Sequence, residues 1–235
     1  QCEAQGVAFR FNTFAEASDV MAENPDVAVI ATGGMPSTRL HEIDAEQPLA
    51  VSAWDLISGD VKPAANILIY DEAGDHPGLM AAELASKAGS KVEVMTPDRT
   101  FAPDIMGMNL VPYMRALQDK DVTFTVARRL EAISRDGNRL KARIGTDYSS
   151  HADEKSYDQI VVNYGTRPLD ELYFELREAS VNRGEITQAE LLAGKPQTIV
   201  TNPEGSFRLF RIGDAVSSRN IHAAIYDALR LMKDI

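Results

Sequence analysis

Two stretches of this chain follow one pattern: Asp26-Val-Ala-Val-Ile-Ala-Thr-Gly-Gly-Met-Pro36 and Asp158-Gln-Ile-Val-Val-Asn-Tyr-Gly-Thr-Arg-Pro168. Each has an acidic residue, an apolar run of the kind buried in a parallel strand, then Gly-x-x-Pro as the chain leaves the sheet. The spacing from strand to Gly to Pro is the same in both. Two copies of one strand exit point to two related sheet domains in one chain, with a chance likeness of two strand ends as the alternative reading.

The segments around the echo fit that architecture. Strands are expected at Val7–Asn12, Asp26–Thr32, Ile67–Tyr70, Lys91–Thr96, Val122–Val126, Gln159–Asn163, Ile199–Thr201 and Phe207–Ile212, most of them short and β-branched or aromatic. Helical patterns fall at Ala15–Ala22, Gly78–Ala88, Met108–Lys120, Glu171–Leu176 and Ile221–Lys233. Strand–helix–strand alternation predicts a parallel α/β sheet with crossover helices. Leu130–Arg135, Arg139–Ile144 and Tyr157–Val162 read instead as a small antiparallel meander turning at Asp136-Gly137-Asn138. Leu40–Ala65, with Pro48, Gly59 and Pro63 and no firm periodicity outside Ala53–Ser58, reads as a linker.

Charge and cysteine content remove several function classes. A net charge of −11 argues against a nucleic-acid or anionic-membrane surface, either of which needs clustered Lys and Arg. One cysteine, Cys2, permits no intramolecular disulfide and no Cys-built iron–sulfur site. No apolar run approaches the roughly 20 residues that span a bilayer, and a cytoplasmic location is expected. No Ser/His/Asp or Cys/His arrangement supports a hydrolase, and His41 and His151 have no partners at metal-ligand spacing.

Ala31-Thr32-Gly33-Gly34 after a hydrophobic strand resembles the Ala-Thr-Gly exit motif of flavoproteins built from two dinucleotide-binding domains. Phe210-Arg-Ile-Gly-Asp-Ala215, followed by Ser217–Ala224 at the start of the terminal helix, resembles their closing Gly-Asp motif. The resemblance implies that the Asp214 carboxylate accepts a hydrogen bond from the flavin ribityl chain. Gly213 would permit close backbone approach, and Asn220, Ile221 and His222 would present the helix N-terminus to the flavin. For His222, a structural role at the helix start is the competing reading.

Gly6–Asn12, Ser52–Gly59, Leu169–Tyr173 and Arg211–Leu231 carry a closer likeness, spanning essentially the whole chain. It is similar to the C-terminal region of the NADH:flavin oxidoreductase family that includes trimethylamine dehydrogenase and 2,4-dienoyl-CoA reductase, nearest the N-methylproline demethylase-like members. That likeness implies an FAD/NAD(P)-binding, Rossmann-like three-layer fold. An inner NAD(P)-binding-type domain (62–170) would be inserted in an incomplete outer FAD-binding-type domain (1–50 and 196–235), with 171–195 as connection. It also implies that FMN, the iron–sulfur cluster and the catalytic residues belong to an N-terminal barrel that would partner this region, with an electron-transfer flavoprotein as a further partner. The chain opens in mid-pattern on Gln1, so it is expected to be part of a longer protein, inactive alone, and to hold FAD or ADP weakly.

A dinucleotide-binding domain begins with a strand, a Gly-x-Gly-x-x-Gly turn and a helix N-terminus that receives the pyrophosphate. After Ile67–Tyr70 the turn reads Asp71-Glu-Ala-Gly-Asp-His-Pro-Gly78, so Gly74 and Gly78 are what remains of the fingerprint, with His76 as a possible partner for phosphate. Three carboxylates stand where a pyrophosphate would arrive. At ~4 Å and an effective dielectric of ~20, each such like-charge contact costs about 4 kcal/mol before screening. NAD(P)H in the usual pose is therefore disfavoured. Gly165, the echo's counterpart of Gly33, completes the set of candidate cofactor contacts. The rival reading is a non-catalytic docking or assembly module that has lost nucleotide binding, which the acidic turn and the charge both favour.

Overall fold

The computed structural model describes residues 2–38, 40–42 and 48–233. The opening Gln1 and residues 43–47 of the expected linker lie outside them. The chain divides into two compact units, one from residues 1–35 and 167–235, the other from residues 36–166.

The second unit is built on a five-stranded parallel sheet in the order Thr123–Thr125, Lys91–Met95, Asn66–Asp71, Gln159–Asn163, Val51–Ser52. Its strands are buried on both faces, and their side chains alternate with period two. Ile67, Ile69, Val92, Val94 and Val161 face one way, onto Leu56, Leu79, Ala82 and Leu117 from the helices Ala53–Ser58, His76–Lys87 and Gly107–Gln118. Leu68, Tyr70, Met95, Ile160 and Val162 face the other way, onto Leu130, Ile133, Ala142, Ile144 and Tyr157 of a three-stranded antiparallel layer. That is the three-layer arrangement expected.

The layer itself differs in its third strand. Arg129–Asp136, Arg139–Thr146 and Ser149–Tyr157 form it, while Gln159–Asn163 joins the parallel sheet. Ser149–Tyr157 is polar and mostly exposed, with Tyr157 its one buried residue, so it lacked the alternation that marks a strand. The expected linker also needs correcting over its second half. Val51–Ser52 pairs in parallel with Val161–Val162, and Ser52 starts the Ala53–Ser58 helix with a reciprocal capping box to Asp55. Ala53 and Leu56 then enter the core.

In the first unit Val27–Ile30 lies parallel to Arg208–Arg211, with Val27 opposite Arg208 and Ile30 opposite Arg211. Ala28, Ile30, Phe207, Leu209 and Ala215 pack against Tyr173 and Leu176 from the Glu171–Leu176 helix. The terminal helix runs from Ile221 to Leu231 and starts on Asn220, whose Oδ1 accepts the Ala223 N–H at 3.0 Å. Two expected strands do not form here. Val7–Asn12 is irregular and exposed, and Ile199–Thr201 is irregular too. Apolar residues alone do not make a strand without a neighbour to complete the ladder.

Candidate functional site

Parallel pairing brings the carboxyl ends of Val27–Ile30 and Arg208–Arg211 side by side, and Ile212 N–H donates to Ile30 O at 3.0 Å. Ala31–Gly34 and Gly213–Asp214 thus sit together at one sheet edge, where open α/β sheets receive ligands. Gly33 and Gly213 both take left-handed backbone, at φ 76° and 62°. At Gly213 a Cβ would stand 3.3 Å from Ala224 Cβ, so glycine lets the terminal helix close onto the strand end. Ala31 and Thr32 are exposed, and the Thr32 hydroxyl donates to Leu169 O. Asp214 accepts the Arg219 N–H at 3.1 Å, which turns the chain into the helix. Asn220, Ile221 and His222 are exposed at that helix start.

A groove of about 660 Å³ adjoins Thr32, bounded by Phe14, Leu169 and Leu172 and by the carboxylates of Glu16, Glu171 and Glu175. Sequence reasoning did not single out this acid-edged groove. Its signal is weak, because Phe14, Leu169 and the three glutamates come from separate segments.

The echoed exit keeps its geometry. Gly165 is left-handed at φ 72°, matching Gly33, and the two copies lead into short strands, Gly34–Pro36 and Thr166–Pro168, that pair with each other.

The second unit's turn is organised differently. Asp71 is the last residue of its strand and is buried. Its Oδ1 accepts the Gly74 N–H at 3.1 Å and the Asn163 side-chain amide at 2.9 Å. That same amide nitrogen reaches Asp75 Oδ1 at 2.7 Å, so one donor group serves two carboxylates. A Cβ on Gly78 would stand 2.6 Å from the Asp71 carboxyl carbon. The carboxylate therefore fills the space under the first helical turn, where backbone N–H groups and the helix dipole favour an anion. Burial pushes the Asp71 carboxyl up to about 6, with the Asp75 charge adding to the rise and the Gly74 and Asn163 hydrogen bonds opposing it. Glu72 turns away into an ion network, meeting Arg129 Nη1 at 2.7 Å, while Arg129 also grips Asp147 through Nε and Nη2 at 2.8 and 2.9 Å. His76 is exposed, with Nδ1 3.3 Å from the Tyr113 hydroxyl. The Asp71 side chain thus occupies the space beside Gly78 at the start of the helix.

Arg99 Nε donates to the Tyr148 hydroxyl at 3.1 Å, and His151 stands 2.9 Å from Asp153. Tyr173 is buried under the Arg211 guanidinium, whose carbon lies 4.5 Å from the ring centre. Among the described residues no group of three or more His, Cys, Asp or Glu side chains is placed to hold a metal. No helix among them is long and apolar enough to cross a membrane.

No family model matches the chain. It is 60% identical over all 235 residues to a probable N-methylproline demethylase of Rhizobium meliloti, covering 34% of that protein. It is 36% identical to the N,N-dimethylglycine/sarcosine dehydrogenase of Chromohalobacter salexigens, over 97% of the chain and 34% of that relative. A solved 2-naphthoyl-CoA reductase complex shares the fold at a TM-score of 0.72 and 23% identity, over 99% of this chain and 30% of that one. The chain thus spans about a third of the length of the curated relatives it matches.

Proposed function

We propose that this chain, a homologue of one third of the flavin oxidoreductases typified by N-methylproline demethylase and dimethylglycine/sarcosine dehydrogenase, supplies the flavin-facing part of a dinucleotide-binding unit. One observation carries the reading: parallel pairing sets Ala31–Gly34 beside Gly213–Asp214 at the sheet edge where the terminal helix begins. Those residues fit a flavin nucleotide, because Gly33 leaves the backbone open, Gly213 lets the terminal helix approach the strand end, and the exposed first turn of that helix offers N–H groups. Thr32, Gly33 and Gly213 would approach it, and Asp214 would orient it. The bound flavin would supply electron-transfer chemistry; this chain's own residues would bind it and fix its orientation.

The second unit then acts as scaffold, with Asp71 in the phosphate position. The whole protein would be a flavin-dependent amine demethylase whose substrate chemistry takes place outside this chain, on an FMN barrel with an iron–sulfur cluster. An electron-transfer flavoprotein would be its acceptor. The rival reading, a docking module without any nucleotide, is favoured by the turn at Asp71–Gly78, where Asp71 packs against Gly78, and by the net charge of −11.

Titration of FAD, ADP, NADH and NADPH into the purified chain tests this. Saturable quenching of flavin fluorescence is expected with FAD, lost in Asp214→Ala and Gly213→Val, with no saturable response to NADH or NADPH. A chain that ignores FAD and ADP alike would be the docking module; one that saturates with NADH would overturn the assignment of the second unit.

A further inference from the structure

A separate cavity of about 180 Å³ lies in the first unit, between Phe210–Ile212, the terminal helix and the short helix Gln188–Ala193. Its lining sets three guanidinium groups, Arg211, Arg219 and Arg230, against one carboxylate, Asp227. In a chain of net charge −11, such a local excess of cations stands out.

Arg211 is answered elsewhere, by Asp170 at 2.6 Å. The other two share Asp227, and Arg219 Nη2 also donates to Gly213 O at 3.3 Å. That carboxylate accepts both terminal nitrogens of Arg219 and also the Gly213 N–H at 3.1 Å. Arg230 Nη2 is left 3.8 Å away, beyond hydrogen-bond reach, and Arg230 Nε has no hydrogen-bond partner. The Arg230 guanidinium lies instead over the Tyr226 ring, 4.7 Å from its centre, which holds it in place without supplying an oxygen acceptor. A guanidinium fork is satisfied by two oxygens of one anion. The one carboxylate is taken by the Arg219 fork and a backbone N–H, which leaves the Arg230 fork without an anion.

We propose that this cavity binds a small oxyanion, a phosphate or carboxylate group, gripped by Arg230 and Arg219 with Asp227 as the competing internal anion. The site is distinct from the flavin contacts proposed above, since its donors, Arg219 and Arg230, are not among them. An anion bound here would loosen the hold of Asp227 on Gly213, and so bear on the Gly213–Asp214 turn.

Inorganic phosphate is the probe, titrated into the purified chain at constant ionic strength while amide resonances of residues 213–231 are followed by NMR. Acetate and chloride form parallel arms. Saturable shifts with phosphate are expected, and acetate tells a general oxyanion site from a phosphoryl-selective one. Arg230→Met should weaken binding about tenfold, as loss of one charge-assisted contact does. Asp227→Asn should tighten it by about the same factor, because the amide oxygen still accepts the Gly213 N–H while the competing charge is gone. Shifts reproduced by chloride, or phosphate affinity unchanged in Arg230→Met, would overturn the proposal. Should Arg230→Met fail to fold, absence of tightening in Asp227→Asn overturns it alone.

Discussion

At the scale of single residues, Asp71 is the most informative position in the second unit. Its carboxyl rises from 3.8 to about 6 on folding, through burial first and the charge of Asp75 second. A group whose folded pKa is raised gives its full stabilisation below the unfolded value and loses it as pH climbs through the folded one. The contribution of Asp71 to the unfolding free energy should therefore fall between pH 4 and 7, by at most about 3 kcal/mol. Asp71→Asn should flatten that slope in urea titrations run across the same range; an unchanged slope would mean that another group causes it. Gly78→Ala addresses the same contact from the helix side. Its new methyl meets the Asp71 carboxylate at 2.6 Å with little room to move, so a loss of about 1–3 kcal/mol is expected in thermal melts. The inward turn of Asp71 was legible in the sequence. Ile67 and Ile69 face the helices, and period-two alternation puts Asp71 on that same side. Counting three carboxylates in the turn treated them as equivalent, whereas their phase along the strand separates the buried Asp71 from Glu72, which points to Arg129.

At the scale of elements, the expected linker shows where pattern reading stops. Val51–Ser52 is a two-residue strand, too short for any alternation to register, and the Ala53–Ser58 helix spans six residues. Tertiary contact makes them structural: Leu56 is fully buried against the helix-side core. Leu56→Ala should cost about 2–5 kcal/mol, the range for a large-to-small change in a packed core. Ser52→Ala should cost about 1 kcal/mol through the lost cap. Small effects at both positions in chemical denaturation would return the segment to the status of a linker. The central strands were legible because burial on both faces demands near-continuous apolar runs. Ser149–Tyr157 was not, since one exposed face and a polar sequence leave no periodic signal. Val7–Asn12 misled for the opposite reason, carrying strand-like residues with no ladder to join.

At the scale of the molecule, the two units have cores of unequal size, and the smaller one belongs to residues 1–35 and 167–235. The single tryptophan, Trp54, lies in the other unit. Its fluorescence therefore reports one unit while far-ultraviolet circular dichroism reports both. With rising urea, the dichroism signal should begin to fall before Trp54 fluorescence changes, as expected for units that open separately. Coincident curves would indicate one cooperative block.

The pairing of Val27 with Arg208 carries one more consequence. On a ribosome that delivers about 5–20 residues each second, everything needed for the five-stranded sheet has been made once residue 163 emerges. Val27–Ile30 must wait for a partner still inside the exit tunnel. Its strand edge stays open throughout that interval, a window in which a nascent chain is exposed to mispairing and to capture by chaperones.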